Sequence, residues 1–193
     1  MADIKVDTSV YTGFNQSIQP RSLVWTNSGT GYAFHIIVAQ NGIAYKKTTD
    51  GGSTWATAGS WPVGGAVEKI GVWYDGWTRG ITGSTIHICY VDALNDDIKY
   101  FTLNTNGDAF GGSQVVFNGA SVSVTENWIN HCLTITKTRG GSLYMGGWID
   151  PDGENGFWAS SNGSTWTSRA NFVAGSVVDS IQFFQGSGED AND

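Results

Sequence analysis

The stretch Tyr45-Lys-Lys-Thr-Thr-Asp-Gly-Gly-Ser-Thr-Trp55 joins two aromatic residues through a glycine-rich turn. Two later stretches follow the same plan, Tyr100-Phe-Thr-Leu-Asn-Thr-Asn-Gly-Asp-Ala-Phe110 and Phe157-Trp-Ala-Ser-Ser-Asn-Gly-Ser-Thr-Trp166. The closing aromatics recur after 55 and then 56 residues, at positions 55, 110 and 166. A period of this length is typical of repeated supersecondary units, and each stretch predicts two strands joined by a turn.

Apolar and β-branched runs precede each hairpin and predict two more strands per unit. The first strands are predicted at Ser22 to Trp25, Ile70 to Trp73 and Cys132 to Thr136, and the second at Tyr32 to Ala39, Ile86 to Asp92 and Leu143 to Asp150. Ser180 to Phe184 begins a fourth unit. The sequence therefore predicts an all-β fold, a β-propeller of four-stranded antiparallel blades. About three and a half blades fit in the chain, which is an incomplete ring.

The turn of the first hairpin resembles the Asp box, Ser/Thr-x-Asp-x-Gly-x-Thr-Trp/Phe, of sialidases and bacterial neuraminidase repeat proteins. The matching residues are Thr48, Asp50, Gly52, Thr54 and Trp55. The later copies carry Thr105 and Ser161 in place of the Asp. The resemblance implies that these residues are structural: Asp50 accepts hydrogen bonds from turn N–H groups, Gly52 takes a positive φ, and Trp55 anchors the hairpin in the core.

Strand direction puts the turns between second and third strands at the end opposite the Asp box, where the resemblance implies sugar binding. Two acidic loops occupy equivalent places there, and the connection from Asn118 to His131 adds a carboxylate near an aromatic residue. These groups could accept sugar hydroxyls or bind Ca²⁺, or they could be polar hairpin turns. We expect no metal site and no cofactor, with Ca²⁺ as the alternative. The candidate ligand-binding residues are Glu126, Trp128, Asp92, Asp96, Asp150 and Asp152.

The arginines argue against catalysis of the sialidase type. Sialidases bind the substrate carboxylate with three arginines and use a Tyr/Glu pair and an Asp. This chain has four arginines, Arg21, Arg79, Arg139 and Arg169, and lacks the Arg-Ile-Pro motif. Arg79 and Arg139 fall on turns at the Asp-box end. We therefore name no catalytic residue and expect that this chain alone is not an enzyme.

Several side chains within strands are assigned to the core. His35 and His87 are expected to be packed histidines, and Cys89 and Cys132 free thiols, with a Cys89–Cys132 bridge as the alternative. The cluster from Trp73 to Trp77 is either an exposed platform for sugars or proteins, or a strand residue with Trp77 folded over it as a lid.

Charge and composition restrict the partners. The formal charge is −7, and the ten Lys and Arg residues are scattered, which disfavours nucleic acid. No stretch approaches the roughly 20 apolar residues of a membrane span, and the N-terminus does not resemble a signal peptide. The expected organisation is an N-terminal strand or arm at residues 1–20, propeller blades at 21–185, and an acidic flexible tail or truncation point at 186–193.

These observations favour a non-catalytic sialidase-like propeller that is a structural or glycan-adhesion component of a larger assembly. Its partners would be other subunits or further chain completing the propeller, together with a glycan ligand. A phage or virus particle would reconcile an extracellular or virion-surface location with the expected lack of a signal peptide. The alternatives are the N-terminal half of a sialidase-type glycoside hydrolase and a lectin-like propeller.

Overall fold

Three antiparallel β-sheets follow one another along the chain in the computed structural model, which describes residues 22–118, 133–149 and 154–169. Sheet 1 contains β1 (Leu23–Trp25), β2 (Gly31–Ile36), β3 (Gly42–Thr48) and β4 (Ala56–Pro62). Sheet 2 contains β5 (Val67–Tyr74), β6 (Thr85–Asp92), β7 (Asp97–Asn104), β8 (Ala109–Phe110) and β9 (Gln114–Asn118), and β8 and β9 both pair with β7. Sheet 3 contains β10 (Leu133–Lys137), β11 (Leu143–Ile149), β12 (Glu154–Ser160) and β13 (Thr167–Ser168).

The predicted all-β fold is confirmed, and the predicted first, second and third strands of all three units are present. The only helical element among the described residues is a 3-10 turn, Asp75–Trp77. None of these residues forms a helix long and apolar enough to cross a membrane. No sheet formed by residues 22–118, 133–149 and 154–169 is closed, so the finer prediction of a propeller is not established by the sheets themselves. The predicted strand Ser180 to Phe184 lies outside the described residues.

Two hydrophobic cores separate the three sheets. β6 lies between them, because its even-numbered side chains from Ile86 to Tyr90 pack toward sheet 1 and its odd-numbered ones, such as Cys89, pack toward sheet 3. Apolar side chains in both alternating sets of a strand predict burial on both faces, and β6 confirms this for the second unit. Full burial of one large apolar side chain stabilises the fold by about 1.5–3 kcal/mol. The largest fully buried side chains include Trp73, Trp158, Tyr32, Tyr45, Phe101 and Ile36.

Aromatic contacts repeat between the sheets with the period of the sequence. The ring of Phe110 lies edge-on to Tyr45 of the preceding sheet, with centroids 5.8 Å apart, and Trp166 lies edge-on to Tyr100 at 5.2 Å. A second repeated contact joins Trp61 to Phe101 at 5.0 Å and Phe117 to Trp158 at 5.3 Å. The sequence repeat is therefore also a repeat of the packing between sheets.

Trp55 differs from Phe110 and Trp166. It is half-buried and lies edge-on to the exposed Trp25, with ring centroids 5.9 Å apart, rather than in a core between sheets. The physical reason is that this position contacts the preceding sheet in the second and third units, whereas sheet 1 is the first described sheet. The expected core anchor is therefore a surface aromatic pair.

The segment from Trp73 to Trp77 folds back on itself. Trp73 is buried in β5, and the half-buried Trp77 lies edge-on to it with centroids 5.6 Å apart. The indole N–H of Trp73 donates to Thr78 Oγ1 (3.0 Å), and Thr78 donates to the carbonyl oxygen of Lys137 in sheet 3 (2.7 Å). The lid interpretation is confirmed. Cys89 is a free, fully buried thiol whose pKa burial raises, and Cys132 lies outside the described residues.

Candidate functional site

Three loops meet at one end of the fold, which we call the acidic end. They are the turns at residues 37–41 and 93–96 and the connection at residues 63–66. Backbone hydrogen bonds tie them together, from the N–H of Val67 to the oxygen of Gln40 (2.6 Å) and from that of Ala93 to the oxygen of Ala66 (2.8 Å). The structure thus places these loops at a common end, as strand direction predicts.

Two buried carboxylates lie at this end of sheet 2. Asp92 and Asp97 are a register pair at the end of the β6–β7 hairpin, and their exposures are 1% and 4%. The ammonium group of Lys99 lies between them, 2.7 Å from Asp92 Oδ2 and 3.2 Å from Asp97 Oδ2. Burial raises the pKa of Asp92, but hydrogen bonds from Lys99 and Asn95 outweigh it and hold that pKa below its ordinary value. Lys99 therefore occupies the place between the carboxylates that a cation would take.

One oxygen of Asp92 has no hydrogen-bond donor. Oδ2 accepts from Lys99 and from Asn95 (2.8 Å), whereas Oδ1 is buried and unpaired. Oδ1 faces the backbone of Gly65 so closely that a Cβ at position 65 would overlap it. An unsatisfied buried acceptor costs about 1–3 kcal/mol. Glycine at position 65 therefore lets the connection cover a carboxylate that is still able to accept a hydrogen bond.

Asp96 lies in the turn beside this pair. It is half-buried and has a φ of 53°, while its neighbours Leu94 and Asn95 are exposed at the tip. Asp92 and Asp96 are the predicted ligand-binding residues that the structure brings together. The other four, Glu126, Trp128, Asp150 and Asp152, lie outside the described residues.

Two charged residues of the acidic end, Lys99 and Glu68, were not identified from the sequence. Glu68 is half-buried near the start of β5. Val67 pairs with Asp92 and Ile70 with Tyr90, so Glu68 and Lys69 together oppose one residue in a β-bulge. Burial raises the pKa of Glu68 to about 7, although the charge of Lys69 lowers it. The sequence did offer a signal for Glu68, since it forms with Lys69 a pair of successive charges at the start of an otherwise apolar strand.

The opposite end of the fold carries the glycine-rich turns. Asp50 Oδ1 accepts the N–H of Thr54 (2.9 Å) and Oδ2 accepts the Thr54 hydroxyl (2.7 Å), while Thr48 Oγ1 donates to Oδ1 (2.8 Å). The hydrogen bonds from Thr54 lower the pKa of Asp50 to about 2. Gly52 has a φ of +91° and donates its N–H to Thr48 Oγ1 (2.9 Å). In this geometry Asp50 organises its own turn.

Two further carboxylates at the same end join neighbouring sheets. Asp108 of sheet 2 accepts hydrogen bonds from Lys47 Nζ (2.6 Å) and the Tyr32 hydroxyl (2.9 Å) of sheet 1. Asp75 Oδ1 accepts from Lys137 Nζ of sheet 3 (2.6 Å) and lies 2.8 Å from His87 Nε2. Burial raises the pKa of Asp75, but the hydrogen bonds from His87 and Lys137 outweigh it and lower that pKa to about 2.

The described arginines do not meet at the acidic end. Arg79 and Arg139 are exposed at the opposite end, and Arg21 lies outside the described residues. Arg169 lines an open, hydroxyl-rich cavity of about 360 Å³ on sheet 3, together with Tyr144 and Asn162. None of the predicted ligand-binding residues lines this cavity. Within residues 22–118, 133–149 and 154–169, no group of three or more His, Cys, Asp or Glu could hold a metal ion.

No family model and no curated protein matches the chain. Among solved structures, the chain is similar to an ulvan lyase of polysaccharide lyase family PL25 bound to -[GlcA(1-4)Rha3S]-, with a TM-score of 0.50 and 14% identity over 82% of this chain and 43% of that one. It also matches an exo-β-1,3-galactanase from Phanerochaete chrysosporium, with a TM-score of 0.30 and 13% identity over 87% of this chain and 53% of that one. The chain thus spans about half the length of these proteins or less.

The comparison with the ulvan lyase bears on two expectations, the absence of enzymatic activity and the sialidase-like fold. The expectation that this chain alone is not an enzyme is contradicted, because the ulvan lyase that shares its fold is a glycan-processing enzyme. At this identity the likeness to the ulvan lyase shows a shared fold. The sialidase-like assignment stays a prediction that the comparisons do not support specifically. The chain therefore has an all-β fold shared with a carbohydrate-active enzyme.

Proposed function

We propose that this chain is part of a carbohydrate-active β-propeller that binds a glycan at its acidic end. The observation that carries the proposal is the buried, unpaired Oδ1 of Asp92 under Gly65, at the point where three loops meet. A sugar hydroxyl is the complementary group, because it donates a hydrogen bond without bringing a charge. The net charge of −7 gives the chain no general attraction for an anionic polymer.

The connection at residues 63–66 is suited to uncovering this oxygen. A Cβ added at Gly64 would meet nothing within 4 Å, so there is open space beside the connection directly before Gly65. Displacement of Gly65 from Asp92 would break no hydrogen bond to Oδ1, because that oxygen is unpaired. In the free chain Asp92 Oδ1 contacts Gly65 without receiving a hydrogen bond. A hydroxyl group of a bound saccharide would donate a charge-assisted hydrogen bond to that oxygen.

The stacking of the sheets supports the propeller part of the proposal. The same two aromatic contacts recur at both interfaces, so each sheet relates to the next in a similar way. Repetition of one such relation is how blades are arranged in a propeller. Further sheets, from more chain or another subunit, would continue the stack. A sialidase-type hydrolase or an adhesive part of a larger assembly would be a narrower version of this function.

The experiment is a glycan array followed by calorimetric titration of the bound oligosaccharides. The Asn95→Ala/Asp96→Asn double variant changes polar groups at the tip of the acidic turn. It removes the hydrogen bond from Asn95 to Asp92 Oδ2 but keeps the Asp92 side chain and its bond to Lys99. Asn106→Ala is the matched control, because Asn106 is exposed on a turn at the opposite end of β7. We expect at least a tenfold loss of affinity in the double variant, equivalent to about 1.4 kcal/mol, and no change in the control. An array without any bound glycan, or equal affinities in all three proteins, would overturn the proposal.

A further inference from the structure

The first strands of the three sheets share one position and one direction in the fold. β1, β5 and β10 are each the edge strand of their sheet. β5 and β10 approach closely, since a Cβ added at Gly71 would lie 2.8 Å from the carbonyl oxygen of Leu133. Each first strand runs from the acidic end to the opposite end. Glu68, the second residue of β5, therefore lies where these strands begin.

The carboxyl group of Glu68 has no structural partner in the described part of the chain. It is half-buried, and none of the hydrogen bonds found between described residues involves it. The bulge re-aims the side chain, since Glu68 and Lys69 both oppose Val91. Val67, on the other side of Glu68, is held by its bond to Gln40 and pairs with Asp92. Glu68 is thus a partly dehydrated carboxyl group on the residue directly after Val67, which pairs with Asp92.

We propose that Glu68 belongs to the glycan site and binds the saccharide as a neutral carboxylic acid. Its O–H donates to one sugar oxygen, and its carbonyl oxygen accepts from a neighbouring sugar hydroxyl. This inference rests on the proposed function, to which it adds one residue and one proton. Binding takes up that proton from solution, because the sugar further removes the carboxyl group from water.

The charges around Glu68 agree with this role. Lys69 follows it on the same strand, and β6 and β7 contribute Asp92, Asp97 and Lys99, which are already paired with one another. The turn at residues 37–41 and the start of β10 at residues 133–135 contribute no charged side chain. Burial raises the pKa of Glu68 to about 7, so both protonation states are accessible near neutral pH.

The test is calorimetric titration of the whole chain with neutral hexasaccharides of glucose, xylose, mannose and galactose between pH 5.5 and 8.5. Buffers of different ionisation enthalpy count the protons taken up. In the wild type we expect the affinity to fall above pH 7, approaching tenfold per pH unit for one proton. In Glu68→Gln the amide keeps a donor and an acceptor, so the affinity should not depend on pH and no proton should be taken up. Asp96→Asn makes the same carboxyl-to-amide change nearby and should keep the pH dependence.

Thermal unfolding of each variant verifies that it folds. A Glu68→Gln variant that binds sugar with the pH profile of the wild type would overturn the role of Glu68 and leave the proposed function standing. Absence of binding by wild type and variants alike would overturn both proposals.

Discussion

The hydroxyl oxygen of Tyr100 lies 2.7 Å from Nδ1 of His87 in the core between sheets 2 and 3. The opposite ring nitrogen, Nε2, lies 2.8 Å from Asp75 Oδ1. A carboxylate can only accept, so Nε2 carries the proton, and Nδ1 accepts the hydrogen bond that Tyr100 donates. The neutral imidazole therefore makes both hydrogen bonds. A second proton, on Nδ1, would leave the Tyr100 hydroxyl without its acceptor. His87 is the packed histidine that the sequence predicts.

This arrangement predicts a dependence of stability on pH. Burial lowers the pKa of His87 below its ordinary value of 6.5, although Asp75 raises it. His87 is therefore protonated at a higher pH in the unfolded chain than in the folded chain, and stability falls as the pH drops through about 6.5. Urea unfolding at pH 7.5 and 5.5 should show this loss in the wild type. It should be smaller in His87→Gln, and a pH dependence in that variant equal to that of the wild type would contradict the assignment.

Replacing Asp75 by Asn tests the hydrogen bonds that Asp75 makes with Lys137 of sheet 3 and with His87. The change leaves the ammonium of Lys137 and the N–H of His87 without their charged acceptor, and removing one partner of a buried pair costs about 3–5 kcal/mol. Because hydrogen bonds lower the pKa of Asp75 to about 2, the native contribution is present above pH 3.8 and is lost toward pH 2. Chemical denaturation at pH 7 measures the cost, and a loss below 1 kcal/mol would show that the network is dispensable.

Gly65→Ala tests the cover over Asp92. A Cβ at this position overlaps Oδ1, so we expect a destabilisation of about 1–3 kcal/mol from overpacking. Gly64→Ala is the matched control, since its Cβ meets nothing within 4 Å and should leave the free energy of unfolding nearly unchanged. Equal effects of the two substitutions in urea unfolding would mean that Gly65 does not lie over the carboxylate.

The repeated aromatic contacts predict local coupling energies. Double-mutant cycles on Tyr45 with Phe110 and on Tyr100 with Trp166 should each give about 0.5–1.5 kcal/mol, the usual value for an aromatic pair. The cycle on Tyr45 with Trp166 joins residues of non-adjacent sheets and should give none. Coupling in the third cycle as large as in the first two would contradict the packing described for the sheets.

Asp50→Ala tests whether Asp50 acts within its own turn. The substitution removes the acceptor of the Thr54 N–H and hydroxyl, so the melting temperature should fall while affinity for any bound glycan is unchanged. Because hydrogen bonds lower the pKa of Asp50 to about 2, the difference between variant and wild type should shrink as the pH drops from 3.8 toward 2. A loss of glycan affinity at an unchanged melting temperature would instead place Asp50 in a binding site.

The strands could be predicted because they depend on local patterns. The apolar runs and the recurring aromatics place all three units, although sheet 2 has five strands and not four. The apolar residues in both alternating sets of β6 correctly indicate burial on both faces. The partners of Asp75 and Asp108 could not be predicted, because each is bound by a lysine from another sheet. Glu68 escaped notice because its environment depends on a bulge that displaces the register by one residue. Trp55 was misplaced because its equivalents pack on a preceding sheet.

Titration of the ¹⁵N-labelled chain with an oligosaccharide selected from the array, followed by amide chemical shifts, locates the bound glycan directly. A glycan site at the acidic end predicts that the shifted amides lie in residues 63–68 and 92–97, and that those of residues 49–55 stay in place. Shifts confined to residues 49–55 would contradict it.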